Sequence, residues 1–309
     1  MNYVYGPVPS RRLGFSLGVD IIPFKICSYD CIYCQLGKTT LKTVERKAYV
    51  SSQDVLEELA LYSSEFKGQI DYIAFSGSGE PTLNSEIGKM IRGAKNLTSI
   101  PVAVLTNGSI FFNKDVREDL MEADVVLPSL DAITSSIFQA VNVPCPSLKI
   151  RDIIEGLCSF IREFKGEVWL EVLLCRGIND GEKELERIKE AVELIKPNKV
   201  QLNTVVRPSG RGEVYPLNYA ELEIAREIIG NNCEIIADFK GMSERLFTKD
   251  VREEEVLALL RRRPCTIGDI SKVLGVNRLE LIKYIEMLNK KGKLKSITKD
   301  GKIYYYSKG

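Results

Sequence analysis

Three of the eight cysteines fall within one short segment, Cys27-Ser28-Tyr29-Asp30-Cys31-Ile32-Tyr33-Cys34. Thiolates are the usual protein ligands of iron–sulfur clusters. With three and then two residues between them, one tight loop aims three sulfurs at a single cubane and leaves its fourth iron open. Structural zinc is the competing chemistry, but it closes with four ligands, and the chain has no histidine to supply one. A fourth ligand would have to be a distant cysteine. The same absence excludes Ser-His-Asp and Cys-His catalysis and His-held haem. Cys145, Cys158, Cys175, Cys233 and Cys265 stand singly and read as small buried hydrophobes. With no secretory signal at Met1-Asn2-Tyr3-Val4, reduced thiols are expected rather than a disulfide framework.

A second group of candidates is Ser76-Gly77-Ser78-Gly79-Glu80-Pro81-Thr82-Leu83, directly after an apolar run. Glycines admit close approach of backbone to a ligand, and Ser78 with Glu80 can meet an ammonium group. Leu105-Thr106-Asn107-Gly108 and Pro128-Ser129-Leu130-Asp131 end two further apolar runs, while Glu171 and Asn203 sit within two more. Each of these polar residues has a plainer reading as a turn residue or helix cap.

The elements that must position these residues alternate. Continuous Val/Ile/Leu runs predict strands at Ser16–Ile22, Asp71–Phe75, Val102–Leu105, Val125–Pro128, Val168–Leu173 and Lys199–Thr204. Helical patterns fall between them, at Val55–Phe66 and about Asn84–Asn96, Asn113–Met121, Lys149–Phe164, Gly181–Ile195 and Asn218–Ile229. Repeated β-then-α order implies parallel strands with right-handed crossovers. The fold class expected is α/β, a partial (β/α)6 TIM-like barrel over residues 1–240, with its chemistry at the C-terminal strand ends. Phe239–Asp250 reads as a connector, with the linker proper at 241–250. Beyond it, Glu254–Arg262, Thr266–Leu274 and a helix opening at Asn277 precede a hairpin around Asp300-Gly301. Three helices and a basic hairpin over 251–309 resemble a small winged helix-turn-helix domain.

Charge divides the same way. Residues 254–309 carry 13 Lys/Arg against 6 Asp/Glu, net +7, leaving 30 against 36 in residues 1–253. The basic end, with Arg261, Arg262, Arg263, Lys290, Lys291, Lys293 and Lys295, predicts a nucleic-acid or protein partner through residues 251–309. No apolar run approaches the roughly 20 residues that span a bilayer, so no membrane partner and a cytoplasmic location are expected.

Taken together, the cysteine triplet, the Gly-Glu segment some 40 residues later and the polar strand ends resemble the radical SAM superfamily. That resemblance covers about residues 1–240. It implies an enzyme with one 4Fe–4S cluster on Cys27, Cys31 and Cys34, and S-adenosylmethionine (SAM) chelating the open iron. It further implies that Ser76, Gly77, Ser78, Gly79 and Glu80 hold the methionyl amine. Thr106, Asn107, Ser129 and Asp131 would lie near its carboxylate or ribose, with Glu171 and Asn203 similarly placed. Tyr33 would lie against the adenine, where a planar apolar ring suits a purine face. A low-potential electron donor of flavodoxin or ferredoxin type would reduce the cluster. Gly6-Pro7-Val8-Pro9-Ser10-Arg11-Arg12-Leu13-Gly14 with Ser16-Leu17-Gly18-Val19-Asp20 is similar to a narrower subgroup, related to wyosine-synthesising tRNA-modification enzymes. Those enzymes have a second cysteine-rich cluster near the N-terminus, whereas no cysteine precedes Cys27 here. The expected reaction is hydrogen abstraction by a 5′-deoxyadenosyl radical from an unassigned substrate, with RNA one option. A protein- or peptide-modifying enzyme and a DNA-binding regulator with an iron–sulfur sensor domain are the alternatives. Arg11, Arg12, Arg207 and Arg211 read equally as anion ligands or as solvated charges.

Overall fold

The computed structural model describes residues 3–66, 68–230, 232–237, 253–274 and 278–307. The expected connector Phe239–Asp250, the linker 241–250 and the helix opening at Asn277 lie outside the described residues. Strands β1 (Val4–Ser10) and β2 (Gly14–Val19) are followed by two short strands, β3 (Ile26–Cys27) and β4 (Leu41–Lys42). Then α1 (Ser52–Glu65), β5 (Tyr72–Phe75), α2 (Ile87–Leu97), β6 (Val102–Thr106), α3 (Lys114–Leu120) and β7 (Val125–Pro128) alternate. Two helices, α4 (Ser135–Val141) and α5 (Ile150–Glu163), lead to β8 (Glu167–Leu174), α6 (Glu182–Ile195), β9 (Lys199–Thr204), α7 (Tyr219–Ile229) and β10 (Cys233–Ile235).

Eight of these strands form one sheet in the order β1-β2-β5-β6-β7-β8-β9-β10. Only the β1–β2 pairing is antiparallel. The six expected strands are all present as β2 and β5 to β9. Two more were not anticipated. β1 carries prolines at positions 7 and 9, which belong on a sheet edge, and β10 is only three residues long.

Alternate residues explain the near-continuous apolar runs. Ile73, Phe75, Val102, Val104, Val126, Val168 and Leu170 pack against the helices in the main core. Their neighbours Ala74, Ala103, Val125, Leu127 and Trp169 join Leu13 in a second cluster on the opposite face. Caps fix the helix starts: the Ser51 side chain accepts from Asp54 N, and Asn218 with Glu221 forms a capping box.

The C-terminal segment contains α8 (Glu253–Arg262), α9 (Ile267–Leu274), α10 (Arg278–Lys290) and the antiparallel pair β11 (Leu294–Lys299) and β12 (Lys302–Ser307). Thr266 and Asp269 cap one another at the start of α9, and Asp300-Gly301 turns the hairpin with φ values of 49° and 70°. This segment is seated on the sheet. Val8 of β1 is buried in the same apolar cluster as Val256, Leu259, Leu260 and Ile270. Tyr304 Oη donates to Val206 O, and Lys299 Nζ donates to Val205 O, both just beyond β9. No helix among the described residues is long and apolar enough to cross a membrane.

Candidate active site

All the candidate side chains gather at one edge of the sheet, where the parallel strands end, as a β-then-α fold requires. The cysteine loop follows β2 and is stitched to the loop after β5: Lys25 N donates to Ser78 O at 2.7 Å, and Glu80 N to Ile26 O at 3.0 Å. Glycine is compulsory at this seam. A Cβ on Gly79 would lie 2.0 Å from Ile26 O, and one on Gly77, whose φ is 145°, would lie 2.3 Å from Asp20 Cγ. On its other side the cysteine loop rests on the end of α4, with Asp30 N donating to Asn142 O and Ile32 N to Val141 O. The loop after β9 closes over it through Gly210 N to Cys34 O at 2.9 Å and an Arg211–Asp30 ion pair at 2.8 Å. Arg211 is thus structural.

Each of the three thiols has its own hydrogen-bond donor. Asn107 Nδ2 reaches Cys27 Sγ at 3.5 Å, Asn142 Nδ2 reaches Cys31 Sγ at 3.5 Å, and Lys25 Nζ reaches Cys34 Sγ at 3.0 Å. Burial, and then the Glu80 charge, pushes the Cys27 thiol up to about 12. Burial likewise raises Cys31 well above its ordinary value, with Asp131 the next cause. Without a bound cation such sulfurs hold their protons, so binding metal must displace them. Among the described residues no three Cys, Asp or Glu side chains converge closely enough to chelate one metal ion. By chemistry, three thiols with no histidine in the chain are a donor set for an iron–sulfur cluster and leave a single zinc one ligand short.

Glu80 is the hub of the second loop. Its Oε1 accepts from Thr82 N, Thr82 Oγ1 and Thr106 Oγ1, and its Oε2 from Asn107 N at 2.7 Å. Burial nevertheless raises its pKa against these donors. Oε2 retains acceptor capacity for a further donor. Ser78 is occupied: its N–H and hydroxyl both donate to Asp20, which also faces Arg262 of α8 at 3.5 Å. Ser76 Oγ lies 3.1 Å from Tyr5 Oη.

Asp131 holds Tyr33 by accepting its phenol proton, and also accepts from Asn142 Nδ2 at 2.7 Å and Leu173 N at 2.9 Å. Burial pushes this carboxyl up to about 6 despite those bonds. Glu171 pairs with Arg12 and accepts from Asn203 Nδ2 at 2.7 Å; Asn203 Oδ1 in turn accepts from Arg11 at 2.8 Å. Ser129 lies beside Glu171 through an isolated parallel bridge. The structure therefore brings every candidate to one region, with side-chain networks centred on Glu80, Asp131 and Glu171, and with Ser78 on Asp20 and Ser76 beside Tyr5. Lys25, Asn142, Asp20 and Arg262 were not among the expected site residues. Asn142 caps α4, a helix too short to show a period, and Lys25 has no motif around it.

Among known proteins, the family model of the radical SAM superfamily matches residues 21–187. The UPF0026 protein of Methanocaldococcus jannaschii is 34% identical over 99% of this chain and 96% of its own length. A Brachyspira hyodysenteriae protein named GTPase Obg is 39% identical over 98% of this chain, which spans only 45% of that protein. A solved structure of TYW1 with a lysine-pyruvate adduct bound superposes with a TM-score of 0.53. It covers 69% of this chain and 72% of its own at 19% identity, a likeness of fold alone. Radical SAM proteins bind SAM and a 4Fe–4S cluster ligated by three cysteines, and they generally need a reductant such as flavodoxin or ferredoxin. With the family model spanning over half the chain and the Methanocaldococcus relative matching nearly all of it, this chain belongs to the radical SAM superfamily of enzymes.

Proposed function

We propose that Cys27, Cys31 and Cys34 hold the single 4Fe–4S cluster, and that SAM lies between this loop and the strand ends. One observation carries the reading: three clustered thiols, each with its own N–H donor, adjoin a buried carboxylate with an acceptor site to spare. When bound and reduced, the cluster supplies the electron that splits SAM into methionine and a 5′-deoxyadenosyl radical, which takes a hydrogen atom from the substrate. The chain's residues bind and orient. Glu80 Oε2 would accept from the methionyl amine, with Thr106 and Asn107 fixing the carboxylate in place. Gly77 and Gly79 bring backbone close to the ligand. Asp131 holds the Tyr33 ring, which would lie against the adenine, and Ser129, Glu171 and Asn203 would face the ribose side.

We further read the parallel strands as a partial barrel over residues 1–240, and residues 251–309 as a winged-helix domain. The Gly6–Gly14 segment supports kinship with the wyosine-synthesising subgroup. The net +7 of residues 254–309 supports contact with an anion, a property that RNA, DNA and phosphorylated small molecules share.

The test is anaerobic reconstitution with iron and sulfide, then dithionite and SAM. Reduced protein should release methionine and 5′-deoxyadenosine, and no 5′-deoxyadenosine under any condition would overturn the reading. Glu80→Gln should keep its iron content while binding SAM roughly tenfold more weakly, about 1.4 kcal/mol.

A further inference from the structure

A cavity of about 360 Å³ lies between the strand ends and the C-terminal segment, the size of a small-ligand site. Its lining holds five arginines, Arg11, Arg12, Arg207, Arg262 and Arg263, against one carboxylate, Glu171. Two of the five have an anionic partner: Arg12 pairs with Glu171, and Arg262 faces Asp20 at 3.5 Å. Among the described residues, Arg11 hydrogen-bonds only the neutral amide of Asn203. Arg207 is 8% exposed and, among the described residues, makes no hydrogen bond or ion pair. Arg263 Nη2 is buried without a partner. Asp269, which acts on Arg207 from farther off, is committed to capping α9 through Thr266.

These guanidiniums feel one another. Burial first, and then the Arg207 charge, lowers Arg11 to about 10. Burial first, and then Arg263, lowers Arg207. Arg11, Arg207 and Arg263 thus line the cavity without a salt bridge among the described residues, Glu171 and Asp269 acting on Arg11 and Arg207 only from farther off. A planar guanidinium fork matches carboxylate and phosphate oxygens alike.

We propose that this chamber binds a small substrate through an anionic group bearing at least two negative charges, a phosphate ester or a dicarboxylate, held by Arg11, Arg207 and Arg263. The inference rests on the reading of this cavity as the substrate chamber of a SAM-cleaving enzyme. The cavity's size, about 360 Å³, favours a small molecule over a nucleic acid. Leu259, Arg262 and Arg263 form one wall, and the hairpin is tied by Tyr304 and Lys299 to the loop after β9. The C-terminal segment is on this view a wall of the chamber.

The test uses the full-length protein without SAM, so that its outcome is independent of 5′-deoxyadenosine formation. Pyrophosphate and malonate are titrated at matched ionic strength against sodium chloride, with thermal midpoint and calorimetry as readouts. The wild type should bind at least one of them saturably and gain roughly 3 °C or more. The responding anion distinguishes phosphate from carboxylate recognition. Arg207→Met and Arg263→Met should weaken binding roughly tenfold or more, while their ligand-free midpoints stay level or rise, because like-charge repulsion is relieved. An arginine with a purely structural role would lower that midpoint instead. Arg261→Met, at an exposed position beside the cavity, should bind like the wild type. No saturable response to either anion, or wild-type affinity in both Met variants, overturns the proposal. So does Arg207-dependent binding of transfer RNA without a response to either small anion, which would assign the arginines to a nucleic acid.

Discussion

Asn142 shows how much one side chain carries here. Its amide donates to Cys31 Sγ and to Asp131, while its backbone carbonyl accepts from Asp30 N. Asn142→Leu keeps the volume and removes both side-chain donors, leaving a buried carboxylate with one partner fewer. The cluster-free protein should lose about 1–3 kcal/mol in urea unfolding. In the cluster-loaded protein the midpoint potential should shift negative, since N–H···S bonds stabilise the reduced cluster. Cys27, Cys31 and Cys34 could be singled out from spacing alone because a cysteine loop of this kind is local in the chain. Asn142 was not, because its meaning comes from a contact across 111 residues. The same holds for the pairing of Arg12, readable as a solvated charge, with Glu171, a strand residue expected near the cofactor, which only the fold joins across 159 positions.

At the scale of elements, periodicity found all six strands that reach the site and missed the pieces whose form is set by their neighbours. β1 contains two prolines and finds its place as an antiparallel edge only because β2 is there to pair with it. α4, at seven residues, is shorter than two turns of an amphipathic pattern. The seam between the cysteine loop and the loop after β5 depends on a glycine of the second. Gly79→Ala places a methyl 2.0 Å from Ile26 O and 2.5 Å from Ile22 Cγ2, so the two loops must separate. We expect a cost of about 1–3 kcal/mol and loss of most of the reconstitutable iron, with far-ultraviolet circular dichroism unchanged. Wild-type iron content in this variant would show that the seam does not set the cysteine geometry.

For the molecule as a whole, the catalytic sheet and the basic C-terminal segment share a core, which their opposite net charges did not foretell. Val8 sits among Val256, Leu259, Leu260 and Ile270, and the Arg262 guanidinium lies 4.2 Å from the centre of the Tyr5 ring. Val8→Asp should cost about 3 kcal/mol or more. Hydrogen-exchange protection should fall in α8 and α9, more than 240 positions away in sequence. If exchange changed only within β1 and β2, the two parts would be energetically separate.

That shared core also bears on how the protein is made. β1 leaves the ribosome well before the helices that cover its outer face. Until α8 and α9 emerge, Tyr5 and Val8 face solvent and the mouth of the chamber stands open, although the cysteine loop and every strand of the sheet have already been synthesised. Nascent chains therefore pass through a stage in which the cysteine loop can be reached from outside. Completion of the last helices and the hairpin then closes the wall behind it.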